Sequence, residues 1–92
     1  MDNEFIAELM ANPYEINGSR IITFSNMAKV LGQNRASMVQ AFRRNIGCFT
    51  QNADFFHLSS EQSVDIVGIK APVGCYALTE SGFMIFSKKA NI

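Results

Sequence analysis

Residues 24–46 read as a short helix, a tight turn and a second helix with a basic, polar outer face, and the rest of the chain is organised around them. Ser25 stands where a hydroxyl can accept a backbone N–H at the start of the first helix. Met27, Ala28 and Leu31 fall at i, i+1 and i+4, one apolar stripe. Ala28 is small where two helices of such a unit approach closely. Gly32 follows the last apolar residue, where a left-handed residue ends a helix at least steric cost. The second helix is expected to start near Arg35–Ser37 and to place Met38, Val39, Phe42 and Ile46 inward. Ser37, Gln40 and Arg44 then share the opposite side, with Asn34 and Arg35 at its N-terminal edge. One helix that holds and a second that presents polar side chains is the arrangement of a helix-turn-helix. Ordinary helical hairpins share the spacing, so a solvated structural hairpin is the competing reading.

The charge pattern bears on that choice. Lys and Arg number 8 and Asp and Glu 8, a formal net charge of zero. From Ile16 to Ala53, however, there is no acid, whereas Arg20, Lys29, Arg35, Arg43 and Arg44 all lie there. The neutral total hides a basic block, which reads either as a solvated helix face or as a phosphate-facing surface.

With 92 residues the chain supports one domain with one core. A hydrophobic share of 48% argues against disorder. No apolar run approaches membrane-spanning length, and the acidic start Met-Asp-Asn-Glu lacks a signal peptide's basic and apolar regions. A cytoplasmic location, in a bacterial host cell, is the expectation. Cys48 and Cys75 have no paired spacing and read as small buried thiols in a reducing compartment. With His57 as the single histidine, neither a metal site nor a cofactor is expected. His57, between Phe56 and Leu58, reads as a half-buried structural residue rather than a base. Asp54, Glu61 and Asp65 are accounted for by a turn, and the glycines form no phosphate-cradling loop. Catalysis, which needs convergent titratable groups, is not expected.

Before the helical pair, residues 3–11 read either as a short amphipathic helix or as a loosely held arm, interrupted at Asn12-Pro13. Asn17-Gly18 between apolar runs is a strong hairpin signal and predicts a small ribbon from 14–16 and 20–24. After Ile46, Gly47 is expected to stop the second helix, and 48–54 to form a polar loop anchored by Phe49. Residues 55–58 read as a strand, and 59–62 as a turn or one helical turn capped by Ser59 or Ser60. The β-branched run 64–69 reads as a strand that returns through 75–78. Such a hairpin beside a helix-turn-helix is a wing, with Lys70 at its tip as a phosphate contact or simply a solvated residue. Thr79 is expected to cap a last helix with Glu80 in its first turn and Lys88-Lys89 at its end.

Three short runs then look familiar. Arg43-Arg44-Asn45-Ile46 with Phe49, and Asp54-Phe55-Phe56-His57-Leu58-Ser59-Ser60-Glu61, resemble the Arg-Asn…Phe…Asp-Phe-Phe-x-Leu-Thr-x-Glu run of phage and prophage antirepressor-type N-terminal domains, the KilA-N, Rha and Ant-like regulator group. Tyr76-Ala77-Leu78-Thr79-Glu80-Ser81-Gly82-Phe83 resembles their Tyr-x-Leu-Thr-x-x-Gly-Phe/Val signature. Together they span about residues 20–89, with the helical pair at 25–46 in the matching place. The resemblance implies a small α+β, winged-helix-like domain over 1–92, usually the N-terminal part of a longer protein.

Two functions of different class follow. In the first, the chain binds double-stranded DNA as a phage or prophage transcriptional regulator, with the helix around 35–46 in the major groove. Arg35, Ser37, Gln40 and Arg44 then face base edges or phosphates, with Asn34 beside them. Arg43, Lys29 and Arg20 hold phosphates, joined by Lys70, and a homodimer on two half-sites supplies affinity. In the second, it is a phage factor that binds and inhibits a repressor or other regulatory protein or a defence complex. The blandest alternative is a structural or oligomerisation module.

Overall fold

The computed structural model describes residues 14–90. The segment 3–11 and Asn12-Pro13, read above as helix or arm and its interruption, lie outside the described residues. The fold is α+β, with two small antiparallel sheets and four α-helices among the described residues.

Asn17 and Gly18 both take positive φ (51° and 82°), and the turn they make pairs β1 (Glu15–Ile16) with β2 (Ser19–Arg20). The ribbon stops there. Ile22–Thr23, expected to continue it, forms β3 and pairs instead with the last strand, and Phe24 already opens the first helix. That helix, α1 (Phe24–Leu31), is capped by Thr23 rather than Ser25: the Asn26 N–H donates to Thr23 Oγ1 at 3.2 Å. It ends at Gly32 in the left-handed region, φ 65°. Asn34 caps α2 (Arg35–Arg44). This helix closes before Gly47, because Asn45 donates through Nδ2 to the Ala41 carbonyl at 2.8 Å and the chain then tightens into a 3₁₀ turn, Ile46–Cys48. Ile46, expected inward, is therefore exposed.

β4 (Phe55–Leu58) is followed by α3 (Ser60–Val67), where a strand was expected over 64–69. Two forces outweigh the β-branched composition. Ser59 and Gln62 form a reciprocal capping box, with the Gln62 N–H donating to Ser59 Oγ at 3.1 Å and the Ser59 N–H donating to Gln62 Oε1 at 3.0 Å. Ser63 and Val67, four residues apart, then bury together, a helical period. No hairpin joins 64–69 to 75–78, so the strand pair beside the helices is built differently. β5 (Cys75–Leu78) is the central strand of the order β3-β5-β4, antiparallel to both neighbours. The last helix, α4 (Glu80–Lys89), has the expected Thr79 cap and carries Lys88 and Lys89 in its last turn.

Strand alternation divides the core. Phe55 and Leu78 face α1, α2 and α4, where Phe24, Met27, Phe42, Phe83 and Phe86 are buried. Phe56, Leu58 and Ala77 face the other way, onto Ile21 and Val67 under the ribbon and α3. Phe42, with no exposed surface, lies 4.8 Å from Phe49, 5.0 Å from Tyr76, 5.2 Å from Phe55 and 5.4 Å from Phe24 between ring centroids, so α2 is pinned to the sheet through one aromatic residue. Among the described residues no helix is long and apolar enough to cross a membrane.

Candidate nucleic-acid interface

What holds α2 determines what it can present. Its first turn is fixed by the Ser37 N–H donating to Asn34 Oδ1 at 3.0 Å. The carboxamide oxygen of Asn34 is thus engaged in capping, and its NH₂ is the part left for a ligand. Met38 and Phe42 anchor the inner side. One turn apart along the outer side, Ser37, Gln40 and Arg44 are all exposed, as expected. No acidic residue stands in the first turn of α2, and Arg43 and Arg44 occupy its last, where cations complement the helix dipole.

Arg35, Val39 and Arg43, at i, i+4 and i+8, form a separate flank of the same helix. They make one wall of a groove of about 510 Å³. The loop between α3 and β5, from Ile69 to Gly74, makes the opposite wall, and it carries Lys70. Lys70 is accordingly not at a hairpin tip but across a groove from α2. Three of the expected cations, Arg35, Arg43 and Lys70, are therefore brought together, and no described Asp or Glu is among the residues lining the groove.

His57 and Tyr76 line the groove as well. They are direct cross-strand partners in the β4–β5 register and fall on the Phe55/Leu78 face, where the cover of the helices runs out. Their ring centroids are 5.0 Å apart at 42°. The Arg43 guanidinium carbon lies 5.9 Å from the Tyr76 ring centroid, a cation–π contact. His57 is exposed, not half-buried as expected. Period-two alternation in 55–58 and 75–78 was the signal that places His57 and Tyr76 together, and the assignment of 64–69 to a strand obscured it.

The remaining cations do not join this group. Lys29 is exposed in the last turn of α1. Arg20 lines a second hollow, about 360 Å³, together with Ala53, Thr79, Glu80 and Ser81. Cys75 borders the groove and sits 3.2 Å from Ser63 Oγ, whereas Cys48, expected to be buried, is exposed; both are free thiols. Among the described residues no three of His, Cys, Asp and Glu come together as a metal-ligand set.

A family model described as the ORF6N domain matches residues 11–89. No curated protein and no solved structure matches the chain.

Proposed function

The chain belongs to the ORF6N domain family, a phage-associated and antirepressor-like group, and on that premise we propose that it is the DNA-binding domain of a phage or prophage transcriptional regulator. The observation that carries this reading is the outer face of α2. Ser37, Gln40 and Arg44 stand exposed on a helix held by a capped, glycine-terminated partner helix, in a stretch of chain with no acid from Ile16 to Ala53. In this reading α2 lies in a major groove. Gln40 pairs with adenine and Arg44 with guanine or a phosphate. Arg43, Lys29 and the N-terminal edge of α2 at Asn34 and Arg35 hold the backbone and set register. Arg20, beside Glu80 in its own hollow, is the weakest of the expected contacts. The role is one of binding rather than catalysis, in the cytoplasm of a bacterial host. A domain of this size offers few contacts, so a homodimer on two half-sites is part of the proposal.

The test is a fluorescence-anisotropy titration of random-sequence duplex DNA at about 50 and about 200 mM salt, the range over which phosphate contacts lose most affinity. Binding that collapses at the higher salt supports the duplex reader. A folded protein that ignores duplex at the lower salt refutes it. The finer antirepressor reading, in which the partner is a repressor or another regulatory protein, then leads, because such a contact needs an apolar anchor rather than counterion release. Val73, 88% exposed, is the first residue to examine for that role.

A further inference from the structure

The groove between α2 and the Ile69–Gly74 loop has a chemistry that a duplex does not match. Its cations, Arg35, Arg43 and Lys70, suit phosphate. Its second feature is a run of π surfaces: the Arg43 guanidinium carbon lies 5.9 Å from the Tyr76 centroid, and Tyr76 lies 5.0 Å from the exposed ring of His57 at a tilt of 42°. Bases inside a duplex are stacked on one another and offer no free face. An unpaired nucleotide offers both a phosphate and a face. An acidic peptide would satisfy the cations and leave the planes unused.

We infer that this groove binds an unpaired nucleotide, its phosphate held by Arg35, Arg43 and Lys70 and its base set against the exposed ring of His57. The volume, about 510 Å³, lies within the range of small-molecule sites. The inference goes beyond the proposed duplex reading, because it assigns the groove an unpaired-nucleotide ligand that shares Arg35 and Arg43 with the duplex contacts and adds Lys70 and His57, which that reading does not use. Tyr76, half-buried and packed on Phe42, contacts both the Arg43 guanidinium and the His57 ring.

The experiment titrates the whole chain with a fluorescent 5′-phosphorylated oligothymidylate and, separately, with a blunt duplex at the same salt. His57→Ala alters an exposed side chain, so the variant is expected to fold, and far-ultraviolet circular dichroism checks that it does. His57→Ala should weaken the single strand roughly fivefold to a hundredfold, the loss that removing one stacked partner gives, and leave duplex affinity unchanged. Arg44→Ala should act chiefly on the duplex. Displacement of the oligonucleotide by thymidine 5′-monophosphate would identify a free nucleotide as a sufficient ligand, and binding without such displacement would assign a strand; both require the His57→Ala loss. The inference is overturned if His57→Ala leaves single-strand binding intact, if Arg44→Ala costs it as much, or if an acidic peptide displaces the oligonucleotide as well as a nucleotide does. Duplex binding without single-strand binding would sink this inference and leave the proposed function standing; the reverse would sink the duplex reader alone.

Discussion

Gly82 looks like a flaw in α4, and a sequence-based repair would replace it with alanine. In an open helix interior that change stabilises by about 1 kcal/mol. Here the sign should reverse. Gly82 is buried, and a Cβ at this position would fall inside the contact distance of the Asp54 carbonyl oxygen, a backbone atom that cannot swing aside. The start of α4 is moored to that same segment. The Thr79 N–H donates to the Asp54 carbonyl at 3.0 Å, and Thr79 Oγ1 donates to the Ala53 carbonyl at 2.8 Å. Ser81 Oγ donates to Asp54 Oδ1 at 2.6 Å. Lifting the helix off Asp54 therefore stretches the two of these bonds made to Asp54 itself, from the Thr79 N–H and from Ser81 Oγ. Overpacking costs about 1–3 kcal/mol, and two weakened hydrogen bonds add about 0.5–1.5 kcal/mol each. Set against the propensity gain, Gly82→Ala should destabilise by about 3 kcal/mol. In a domain of this length that lowers Tm by roughly 10–25 °C. Urea and thermal melts followed by circular dichroism measure both quantities. Gly47→Ala is the control, because nothing lies within 4 Å of its added Cβ and its φ is ordinary; it should stay within about 0.5 kcal/mol of the parent. A Gly82→Ala protein as stable as the parent would refute the account of how α4 docks.

Phe42→Ala should cost about 3–5 kcal/mol, since it empties the point where α1, α2 and the sheet meet. In a small domain that leaves little cooperative unfolding, and a urea transition shifted by less than about 1 kcal/mol would contradict the central placement of this ring. Ser59→Ala should lower stability by about 1 kcal/mol by opening the capping box, whereas Ser60→Ala should change it by less than about 0.5 kcal/mol; equal losses would mean that the wrong serine has been assigned the cap. For duplex DNA, Arg44→Ala should weaken affinity and reduce the salt slope by about 1 if it meets a phosphate, and Gln40→Ala should relax base preference at one position at a cost of about 1–3 kcal/mol. If both variants keep affinity and preference unchanged in anisotropy titrations, α2 does not read DNA with this face.

Features that a few adjacent residues decide were legible in the sequence. Asn17-Gly18 dictates its turn through backbone conformation alone, Gly32 marks the end of α1, and Thr79 with Glu80 announces α4. Each depends on hydrogen bonds or sterics within about four residues of the signal. The run 64–69 reads as a strand but folds largely as helix, because its β-branched composition is a weak preference, while the capping box at Ser59 and Gln62 and the four-residue spacing of Ser63 and Val67 act together on the same backbone. The helix there has a non-local consequence. With α3 in place of a strand, β5 pairs with β4 and β3 and becomes the central strand, so the β4 register, rather than a wing, decides what stands beside α2. His57 opposite Tyr76 follows from that register, and Arg43 reaches Tyr76 because Phe42, the preceding residue, is locked into the sheet face below. The basic residues of α2 were thus visible one by one, but their division into an outward face and a groove flank was not. That division arises only when the helix meets the sheet, and it gives the domain two chemically different surfaces on one helix.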